Sequence, residues 1–330
     1  MRRVGIVGAG TMGGAHAYAW RTTEAQLVGF FDLEPRTAQQ AADRFEVAAF
    51  ASREALLDAA DIVDVCTPTY THREVAIAAL QAGKHVICEK PMSLTVDGCG
   101  DMIRAAEANG VRLFVAQVVR FFPEYATAKR LTDEGAIGKV GVIRLTRGGA
   151  HPGTGPRQWF VEEYRSGGVL LDLMVHDYDY ARWLAGDVER VYCQRHLGPD
   201  ADYALVTLRF TSGAMAHIEG SWAYPAGFRT AYDIAGDAGL LTFDSARTAP
   251  LQLQLKEQES GPAGVVVPSS PLFPEDSPYA REVQHFYRCL QTGDEFLVTP
   301  LDAMAAVQVA NAARQSALTG TPVALQPLSI

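Results

Sequence analysis

Apolar residues in the first third of the chain form short runs that do not alternate with polar residues. Such runs occupy residues 4–7, 25–31, 61–65, 84–88 and 112–119, and the segments between them carry apolar residues at helical spacing. Strands of this kind, separated by amphipathic helices, are typical of a parallel sheet that is covered on both faces. The pattern therefore predicts a doubly wound α/β domain over residues 1–120.

The rest of the chain follows a different pattern. In "YALVTLRFT" (203–211) and "LQLQLKEQ" (251–258) every second residue is apolar, which is the period of a strand with one buried face. Helical patterns occur at about 123–135, 168–185 and 277–292, and a last helix ends at Gly320. We predict an α+β domain over residues 121–330 with a large, mostly antiparallel, open sheet and a loop at 265–278.

A glycine-rich turn follows the first predicted strand. In "VGIVGAGTMGG" the pattern Gly-x-Gly-x-x-Gly places Gly8, Gly10 and Gly13 between that strand and a helix. These glycines allow a tight turn, a close approach of the backbone to a pyrophosphate, and close packing of the helix on the strand. The N–H groups at the start of the helix, near Thr11 and Met12, then bind the anion. A glycine-rich turn without a ligand is the alternative.

The second predicted strand ends in Asp32, nineteen residues beyond Gly13. A carboxylate at this position accepts hydrogen bonds from the ribose hydroxyls of an adenosine and repels a 2′-phosphate. Leu33 follows it, rather than a serine or arginine that would bind this phosphate, so the sequence favours NAD as the cofactor. Arg36 leaves NADP possible. An ordinary aspartate at the end of a strand is the alternative for Asp32.

The fourth predicted strand ends in "CEKP", in which Glu89 and Lys90 precede Pro91. Proline has no N–H to donate to a sheet and restricts the preceding residue to an extended backbone, so Lys90 is expected to point out of the sheet. Ligands of doubly wound sheets bind at this carboxyl edge, which "CTPTYTH" (66–72) also reaches. Taken alone, a lysine at this position is more often an ordinary surface lysine.

Composition restricts the class of ligand. The 330 residues have a formal net charge of −9 and no block of lysine or arginine, which disfavours nucleic acid and anionic membrane as partners. The five cysteines are scattered and form no C-x-x-C pair, so neither a disulfide framework nor a thiolate metal cluster is indicated. We predict a small-molecule ligand, no metal site and a cytoplasmic location.

The N-terminus permits one competing interpretation. Arg2-Arg3 followed by the uncharged run 4–20 is similar to a secretory or twin-arginine signal. Signal cores are apolar helices, whereas the five glycines of this run each weaken a helix by up to about 1 kcal/mol. The phosphate-binding turn is therefore the preferred interpretation. No other stretch reaches the roughly eighteen apolar residues of a membrane span.

Three segments together resemble the Gfo/Idh/MocA oxidoreductases, the group that includes glucose–fructose oxidoreductase and inositol dehydrogenase. They are "GAGTMGG", "CTPTYTHREVAIAALQAGKHVICEKP" and "SGGVLLDLMVHDYDYARWL". The resemblance implies a Rossmann domain, a substrate domain, and NAD(P)-dependent dehydrogenase activity on a sugar, inositol or related polyol. It also implies that Lys90 is the catalytic lysine and that Asp172 and His176 are the substrate-site pair.

The types and the spacing of Asp172 and His176 suit that chemistry. They are four residues apart in a helix that is predicted to open at Gly167-Gly168, so they share one face. Alcohol oxidation needs a base for the hydroxyl proton, and His176 titrates near neutrality. Lys90 then stabilises the developing alkoxide, and Asp172 orients the hydroxyl or the imidazole. The alternatives are a structural role for His176, a carboxylate at Asp172 that the helix dipole favours, and a metal half-site formed by the pair.

Several further residues are assigned by position. Many members of the resembled family have Asn or Gln shortly before an Arg-Phe pair, whereas here two valines separate Gln117 from Arg120. Arg120 and Trp159 are predicted to contact the substrate, with an ion pair between the domains and a core tryptophan as alternatives. His151 and Arg157 are further candidates for the sugar pocket, and Asp177 and Asp179 are interpreted as helix-surface or interdomain residues. The predicted cofactor contacts are Gly8, Gly10, Thr11, Met12, Gly13, Asp32, Thr67, Pro68, His72, Glu89, Lys90 and Gln117.

Two other functions are compatible with the same scaffold. One is an NAD-dependent glycosidase that uses transient oxidation, and the other is a regulator that senses a nucleotide or sugar without catalysis. Lys90, Asp172 and His176 disfavour the regulator, because a sensor needs no reactive groups. The resemblance also implies a homodimer or homotetramer that forms through the C-terminal sheet.

Overall fold

The structure of the protein is a computed structural model that describes residues 1–153, 158–225, 227–246 and 276–328. The predicted strand at 251–258, most of the predicted loop at 265–278, and Arg157 lie outside the described residues. The described chain divides into two compact units, one of residues 1–121 and 276–304, the other of residues 122–246 and 305–328. Residues 276–304 thus group in space with the first unit. The domain boundary at residue 120 stays a prediction.

The strands and helices alternate in the first part of the chain and segregate in the second. The strands are β1 (Arg3–Val7), β2 (Gln26–Phe31), β3 (Ala48–Ala49), β4 (Ile62–Val65), β5 (His85–Glu89), β6 (Leu113–Ala116), β7 (Val140–Ala150), β8 (Val188–Gly198), β9 (Ala201–Phe210), β10 (Met215–Tyr224), β11 (Phe228–Gly236), β12 (Leu240–Asp244) and β13 (Val323–Ala324). The α-helices are α1 (Thr11–Trp20), α2 (Pro35–Phe45), α3 (Arg53–Ala59), α4 (Thr69–Gln81), α5 (Val96–Ala108), α6 (Pro123–Asp133), α7 (Glu163–Ser166), α8 (Val175–Ala185), α9 (Pro278–Thr292) and α10 (Pro300–Thr319).

The first unit contains a six-stranded parallel sheet in the order β3-β2-β1-β4-β5-β6. Every residue of β4 and β6 is buried, as expected of strands that are covered on both faces. The predicted doubly wound sheet is therefore confirmed. Because all strands run in one direction, the loops that follow β1, β2, β4, β5 and β6 lie at the same edge.

Helix α9 completes the core of the first unit. The ring of Phe286 lies 5.4 Å from that of Phe114 and 6.0 Å from that of Trp20, measured between centroids, and all three side chains are fully buried. Arg112, which directly precedes β6, donates hydrogen bonds to the carbonyl oxygens of Cys289 and Asp294 at 2.8 and 2.6 Å. Helix α9, although distant in sequence, thus buries the side chains of Phe114 and Trp20 in the core of the first unit.

The second unit contains a seven-stranded sheet in the order β12-β11-β7-β10-β9-β8-β13. Strands β7 and β10 are parallel, and the other described pairs are antiparallel, so the predicted mostly antiparallel sheet is confirmed. The alternation predicted for 203–211 is present in β9, where Ala204, Val206, Leu208 and Phe210 are buried. Among the described residues, no helix has the length and apolarity that a membrane span requires.

The single helix predicted over 168–185 is interrupted. Residues Val169–Leu173 form a π-helical turn, and α8 begins only at Val175. Gly167 and Gly168 precede this turn with φ angles of 82° and 64°, a region that strongly favours glycine. The predicted Asp172 therefore lies in the π-helical turn, whereas His176 lies in the first turn of α8.

Candidate active site

The carboxyl edge of the parallel sheet gathers most of the predicted cofactor residues. Val7 pairs with Val65 in the adjacent strands β1 and β4, and Glu89 pairs with Ala116 in β5 and β6. The residues that follow these strand ends are therefore neighbours in space. They are Gly8, Cys66, Thr67, Lys90 and Gln117.

The phosphate-binding turn has room for a ligand at Gly10 but not at Gly13. A Cβ atom at Gly13 would overlap the carbonyl oxygen of Gly8, so this position must stay glycine for α1 to pack. A Cβ atom at Gly10 would meet no atom within 4 Å. Gly10 provides no side-chain cap, so the first N–H groups of α1, at Thr11 and Met12, are available to an anion. This open space is what a pyrophosphate requires.

Asp32 connects the end of β2 to the phosphate-binding turn. Its carboxylate oxygens accept the N–H groups of Ala9 and Glu34, each at 2.9 Å. Carboxylate oxygens have further lone pairs that can accept hydrogen bonds from ribose hydroxyls. The position of Asp32 therefore fits the predicted ribose contact.

Gln117 offers a buried amide group at the end of β6. Its side chain is 0% exposed, and neither its amide nitrogen nor its amide oxygen has a hydrogen-bond partner among the described residues. Leaving such a group unpaired costs about 1–3 kcal/mol. The carboxamide of a nicotinamide carries the complementary donor and acceptor, so Gln117 fits the predicted cofactor contact.

His72 ties two loops of this edge together. Its Nδ1 lies 2.8 Å from the carbonyl oxygen of Pro91, and its Nε2 lies 2.8 Å from that of Thr67. Burial lowers the pKa of His72, whereas the hydrogen bonds to the two carbonyl groups favour the protonated ring. The predicted cofactor contact of His72 is thus better described as support for the loop at Thr67 and Pro68.

Lys90 follows the last residue of β5 and is held through its backbone. The N–H group of Lys90 donates to Glu89 Oε2 at 2.9 Å, and the Lys90–Pro91 peptide bond is cis. Glu89 itself is buried, and its other carboxylate oxygen lies 3.0 Å from His16 Nε2. Glu89 therefore faces the interior of the unit, so that a direct cofactor contact by its carboxylate is not favoured.

Sequence reasoning missed a buried pair beneath this edge. Asp64 in β4 and His16 in α1 are fully buried, with 2.9 Å between His16 Nδ1 and Asp64 Oδ2. The signal was available, because Asp64 is the only charged residue of "IVDV" and His16 the only titratable group on the core side of a helix of small residues. Such groups are rarely buried unless they are paired.

Arg120 departs from its predicted role. It is 3% exposed, donates to the carbonyl oxygen of Leu297 at 2.8 Å, and lies 3.5 Å from Asp302 Oδ2. These contacts favour the ion-pair alternative over the predicted substrate contact. The alternative prediction placed this ion pair between the two domains, whereas both of its residues lie within the first unit.

In the second unit, a buried ion pair holds the turn that carries Asp172. The N–H group of Val169, the first residue of the π-helical turn, donates to Asp202 Oδ2 at 3.0 Å. Arg195 binds the same carboxylate through Nε and Nη2, each at 2.7 Å. Asp172 is buried and His176 is half-buried. Their roles stay predictions.

Gly168 is required at its position for two reasons. Its φ of 64° disfavours other residues, and a Cβ atom would lie 2.6 Å from Arg195 Nη2. Arg195 in turn donates to Glu163 Oε2 at 3.0 Å. Because Gly168 has no side chain, Arg195 has room beside the π-helical turn.

The interpretation of Asp177 and Asp179 as surface residues is wrong. Both are buried, and Asp177 forms a two-pronged ion pair with the buried Arg147 at 2.8 and 3.1 Å. Burial raises the pKa of Asp177, and the facing guanidinium favours its charged form. This pair connects α8 to β7, one residue beyond His176.

The remaining substrate candidates lie before the π-helical turn. The ring of Trp159 stacks on that of Phe160 with 3.8 Å between centroids, and both are half-buried. Trp159 is therefore not a core tryptophan. His151 Nδ1 accepts the N–H group of Gly153 at 3.3 Å and is half-buried.

Comparison with known proteins agrees with this architecture. Residues 2–117 match the oxidoreductase family with an NAD-binding Rossmann fold, and residues 125–242 match the GFO/IDH/MocA C-terminal domain. The scyllo-inositol 2-dehydrogenase (NAD(+)) of Bacillus subtilis is 30% identical over 98% of this chain and 96% of its own.

Two solved structures are similar over nearly their whole length. GenD2 from gentamicin A biosynthesis, in complex with NAD, has a TM-score of 0.87 and 27% identity over 99% of this chain and 97% of its own. Levoglucosan dehydrogenase, in complex with NADH and levoglucosan, has a TM-score of 0.84 and 26% identity over 98% of this chain and 99% of its own. The predicted cofactor, NAD, and the predicted enzyme class are confirmed. The chain belongs to the GFO/IDH/MocA family of NAD-binding oxidoreductases.

Proposed function

We propose that the protein is a dehydrogenase that oxidises a secondary alcohol of a cyclitol, sugar or related polyol to the ketone. The observation that carries this proposal is the position of Lys90 at the carboxyl edge of the NAD-binding sheet. An ammonium group at this edge can bind the substrate oxygen and stabilise negative charge as it develops there. The contacts of Glu89 and His72 with the backbone of residues 90 and 91 support a fixed backbone from which the lysine extends.

The substrate class rests on the relatives. One of them is named for scyllo-inositol, and another was solved with levoglucosan bound. Both ligands are compact rings with several secondary hydroxyl groups. We infer that this chain acts on a ring of the same kind.

The reaction converts R₂CH–OH and NAD⁺ into R₂C=O, NADH and a proton. NAD⁺, when bound, supplies the hydride acceptor. Gly10 and the start of α1 would bind the pyrophosphate, Asp32 would bind the ribose, and Gln117 would bind the carboxamide. His176 accepts the hydroxyl proton, Lys90 stabilises the alkoxide, and Asp172 orients the hydroxyl or the imidazole.

The proposal is tested with a panel of inositols, pyranoses and anhydrosugars, each with NAD⁺ and with NADP⁺, by following absorbance of the reduced nicotinamide. We expect turnover of at least one cyclic polyol with NAD⁺. Lys90→Met should lower kcat by about 100-fold or more, because the alkoxide loses its cation, while the Kd for NAD changes little.

Lys84→Met is the matched control, because Lys84 precedes the opposite end of the same strand and should leave kcat unchanged. Normal turnover by Lys90→Met would contradict the assignment of Lys90. Cleavage of a glycoside without net NADH would instead support the glycosidase, and NAD binding without turnover of any substrate would support the regulator.

A further inference from the structure

A buried chain of hydrogen bonds joins the phosphate-binding helix to the backbone of Lys90. The indole N–H of Trp20 donates to Asp64 Oδ2 at 2.6 Å, and His16 Nδ1 lies 2.9 Å from the same oxygen. On the other side of the ring, His16 Nε2 lies 3.0 Å from Glu89 Oε1. Glu89 Oε2 then accepts the N–H group of Lys90 at 2.9 Å. The chain thus crosses from α1 through β4 to the end of β5.

The geometry and the charge around His16 together favour its protonated form. A carboxylate can only accept hydrogen bonds, so each ring nitrogen that faces one must carry a proton. Both nitrogens of His16 face a carboxyl group, so the imidazolium form donates to both groups when they are ionised. Burial alone would lower the pKa of His16, but the charge of Asp64 raises it well above its usual value. The ring is therefore a buried cation that bridges the side chains of Asp64 and Glu89.

Other titratable groups nearby are neutral. Cys66 is 3.3 Å from Asp64 Oδ1, and burial raises the pKa of its thiol, so it stays protonated and donates to this oxygen. On α9, burial raises the pKa of Glu282 well above its usual range, and the ring of Tyr279 lies 6.5 Å from that of His16. Among the described residues, His16 is therefore the cation that these groups enclose.

A metal site is the competing interpretation of this cluster. Ligand atoms of His16, Asp64 and Cys66 lie within 4.8 Å of one another. Metal ligation needs a ring nitrogen with a free lone pair and a thiolate. Both ring nitrogens already contact carboxylates, and burial keeps the thiol protonated. The hydrogen-bonded cluster therefore accounts for all three side chains.

We propose that His16 is a positioning residue, which bridges Asp64 and Glu89 as an imidazolium and thereby fixes the backbone from which Lys90 reaches the substrate. The inference rests on the proposed catalytic function of Lys90. Helix α1 carries His16 on its core side and binds the pyrophosphate at its N-terminus. The same helix thus serves the cofactor and, through His16, the lysine.

The first test replaces His16 with glutamine. Glutamine is uncharged and presents both N–H groups from one nitrogen, whereas His16 meets the two carboxyl groups from different ring nitrogens. Glu89 therefore loses its charged partner, and the end of β5 is less well fixed. We expect kcat to fall by about 10- to 100-fold, the size of effect that small misplacements of a catalytic group produce. The Kd for NAD, measured by titration calorimetry, should change by less than about threefold, because the phosphate-binding turn is untouched.

Trp20→Phe is the matched control. It removes a hydrogen bond to the same Asp64 carboxylate but leaves the contact between His16 and Glu89 in place. We expect a lower urea midpoint of unfolding, because a buried hydrogen bond is lost, and an unchanged kcat. A loss of kcat in Trp20→Phe equal to that in His16→Gln would reduce His16 to a purely structural role and overturn the proposal.

The second test observes the proton itself and needs no substrate. In protein labelled with ¹⁵N-histidine, one of the eight histidines should retain two N–H protons at about pH 8, well above the ordinary histidine pKa. This signal should be absent in His16→Gln. A neutral tautomer of His16 at this pH would overturn the proposal.

Two outcomes separate this inference from the proposed function. If Lys90→Met turns over normally, the function of Lys90 fails, while the nuclear magnetic resonance signal still reports the charge of His16. If Lys90→Met is inactive but His16→Gln keeps its kcat, the positioning role fails.

Should His16→Gln not fold, a second variant tests the same contact. Glu89→Ala removes the acceptor of the Lys90 N–H group and should lower kcat to a similar extent. An unchanged kcat in this variant would overturn the proposal.

Discussion

The segments around Lys90 and Asp172 are both held by buried ion pairs, but their backbones are fixed in different ways. Lys90 follows a strand that has parallel neighbours on both sides. The ladder holds the strand, and the cluster around His16 only fixes its last residue. Asp172 lies in a π-helical turn, where the pair of Arg195 and Asp202 holds the first N–H group.

This difference predicts different sensitivities. A strand within a six-stranded sheet is stabilised by many backbone hydrogen bonds, so the loss of one side chain, such as His16, shifts the end of the strand without unfolding it. The π-helical turn depends on the carboxylate of Asp202, on Arg195, and on Gly168, which has no side chain to exclude them. We therefore expect single substitutions to cost more stability in the second segment than in the first.

The largest effect is expected for Asp202→Ala. The change leaves Arg195 without its main partner and the Val169 N–H group without an acceptor, which should lower the free energy of unfolding by about 3–5 kcal/mol. Urea denaturation measures the loss. Asp233→Ala is the control, because its pair with Arg144 on the same sheet is exposed and should contribute less than about 1 kcal/mol. Equal losses in both variants would contradict the comparison.

Gly168→Ala should have the next largest effect. Gly168 has φ 64° and ψ −164°, and Gly186 has φ 87° and ψ −150°, so alanine adds similar backbone strain of about 1–3 kcal/mol at either position. Only at Gly168 would the new methyl group displace Arg195. We expect Gly168→Ala to lower the midpoint of thermal unfolding further than Gly186→Ala does. Identical midpoints would show that the arginine does not hold the turn.

The first unit should respond to pH through Glu282. Its pKa is raised by burial, so its stabilising contribution is complete below the unfolded pKa of about 4.3 and is lost as pH rises through the folded value. Relative to Glu282→Gln, the wild type should lose about 1.4 kcal/mol per pH unit over this window. Urea denaturation from about pH 5 to about pH 7 measures the slope. Parallel curves for the two proteins would refute a neutral Glu282.

The smallest effect on stability is expected for Gly10→Ala. Gly10 has a φ of −75°, and a Cβ atom there meets no other atom, so the fold should be unchanged. The methyl group would occupy the space of the pyrophosphate, and the Kd for NAD should rise about tenfold or more. Gly13→Ala is the contrasting variant, because it should destabilise the unit itself. Unchanged NAD affinity in Gly10→Ala would place the cofactor elsewhere.

Much of the first unit could be predicted from the sequence because its signals are local. Apolar runs identify buried strands, and the spacing of Gly8, Gly10 and Gly13 identifies the phosphate-binding turn. Asp32 and Lys90 could be assigned to the ligand edge, since each ends a strand whose direction is known once the sheet is parallel. The pattern of alternate residues predicted the second sheet for the same reason.

The remaining features depend on residues that are distant in sequence. The partner of His16 lies 48 positions away, that of Arg120 is a carbonyl group 177 positions away, and that of Val169 is 33 positions away. No local pattern specifies such pairs. The π-helical turn also depends on a distant residue, because its first N–H group, which has no partner within the turn, is capped by the carboxylate of Asp202 in β9.

The position of α9 has a consequence for the order in which the protein is made. The ribosome releases the six strands of the first sheet long before residues 276–304 leave its exit tunnel. Until then the side chains of Trp20 and Phe114 lack the helix that buries them. Although N-terminal domains usually fold first during synthesis, we expect the NAD-binding sheet of this protein to finish folding only when translation is nearly over.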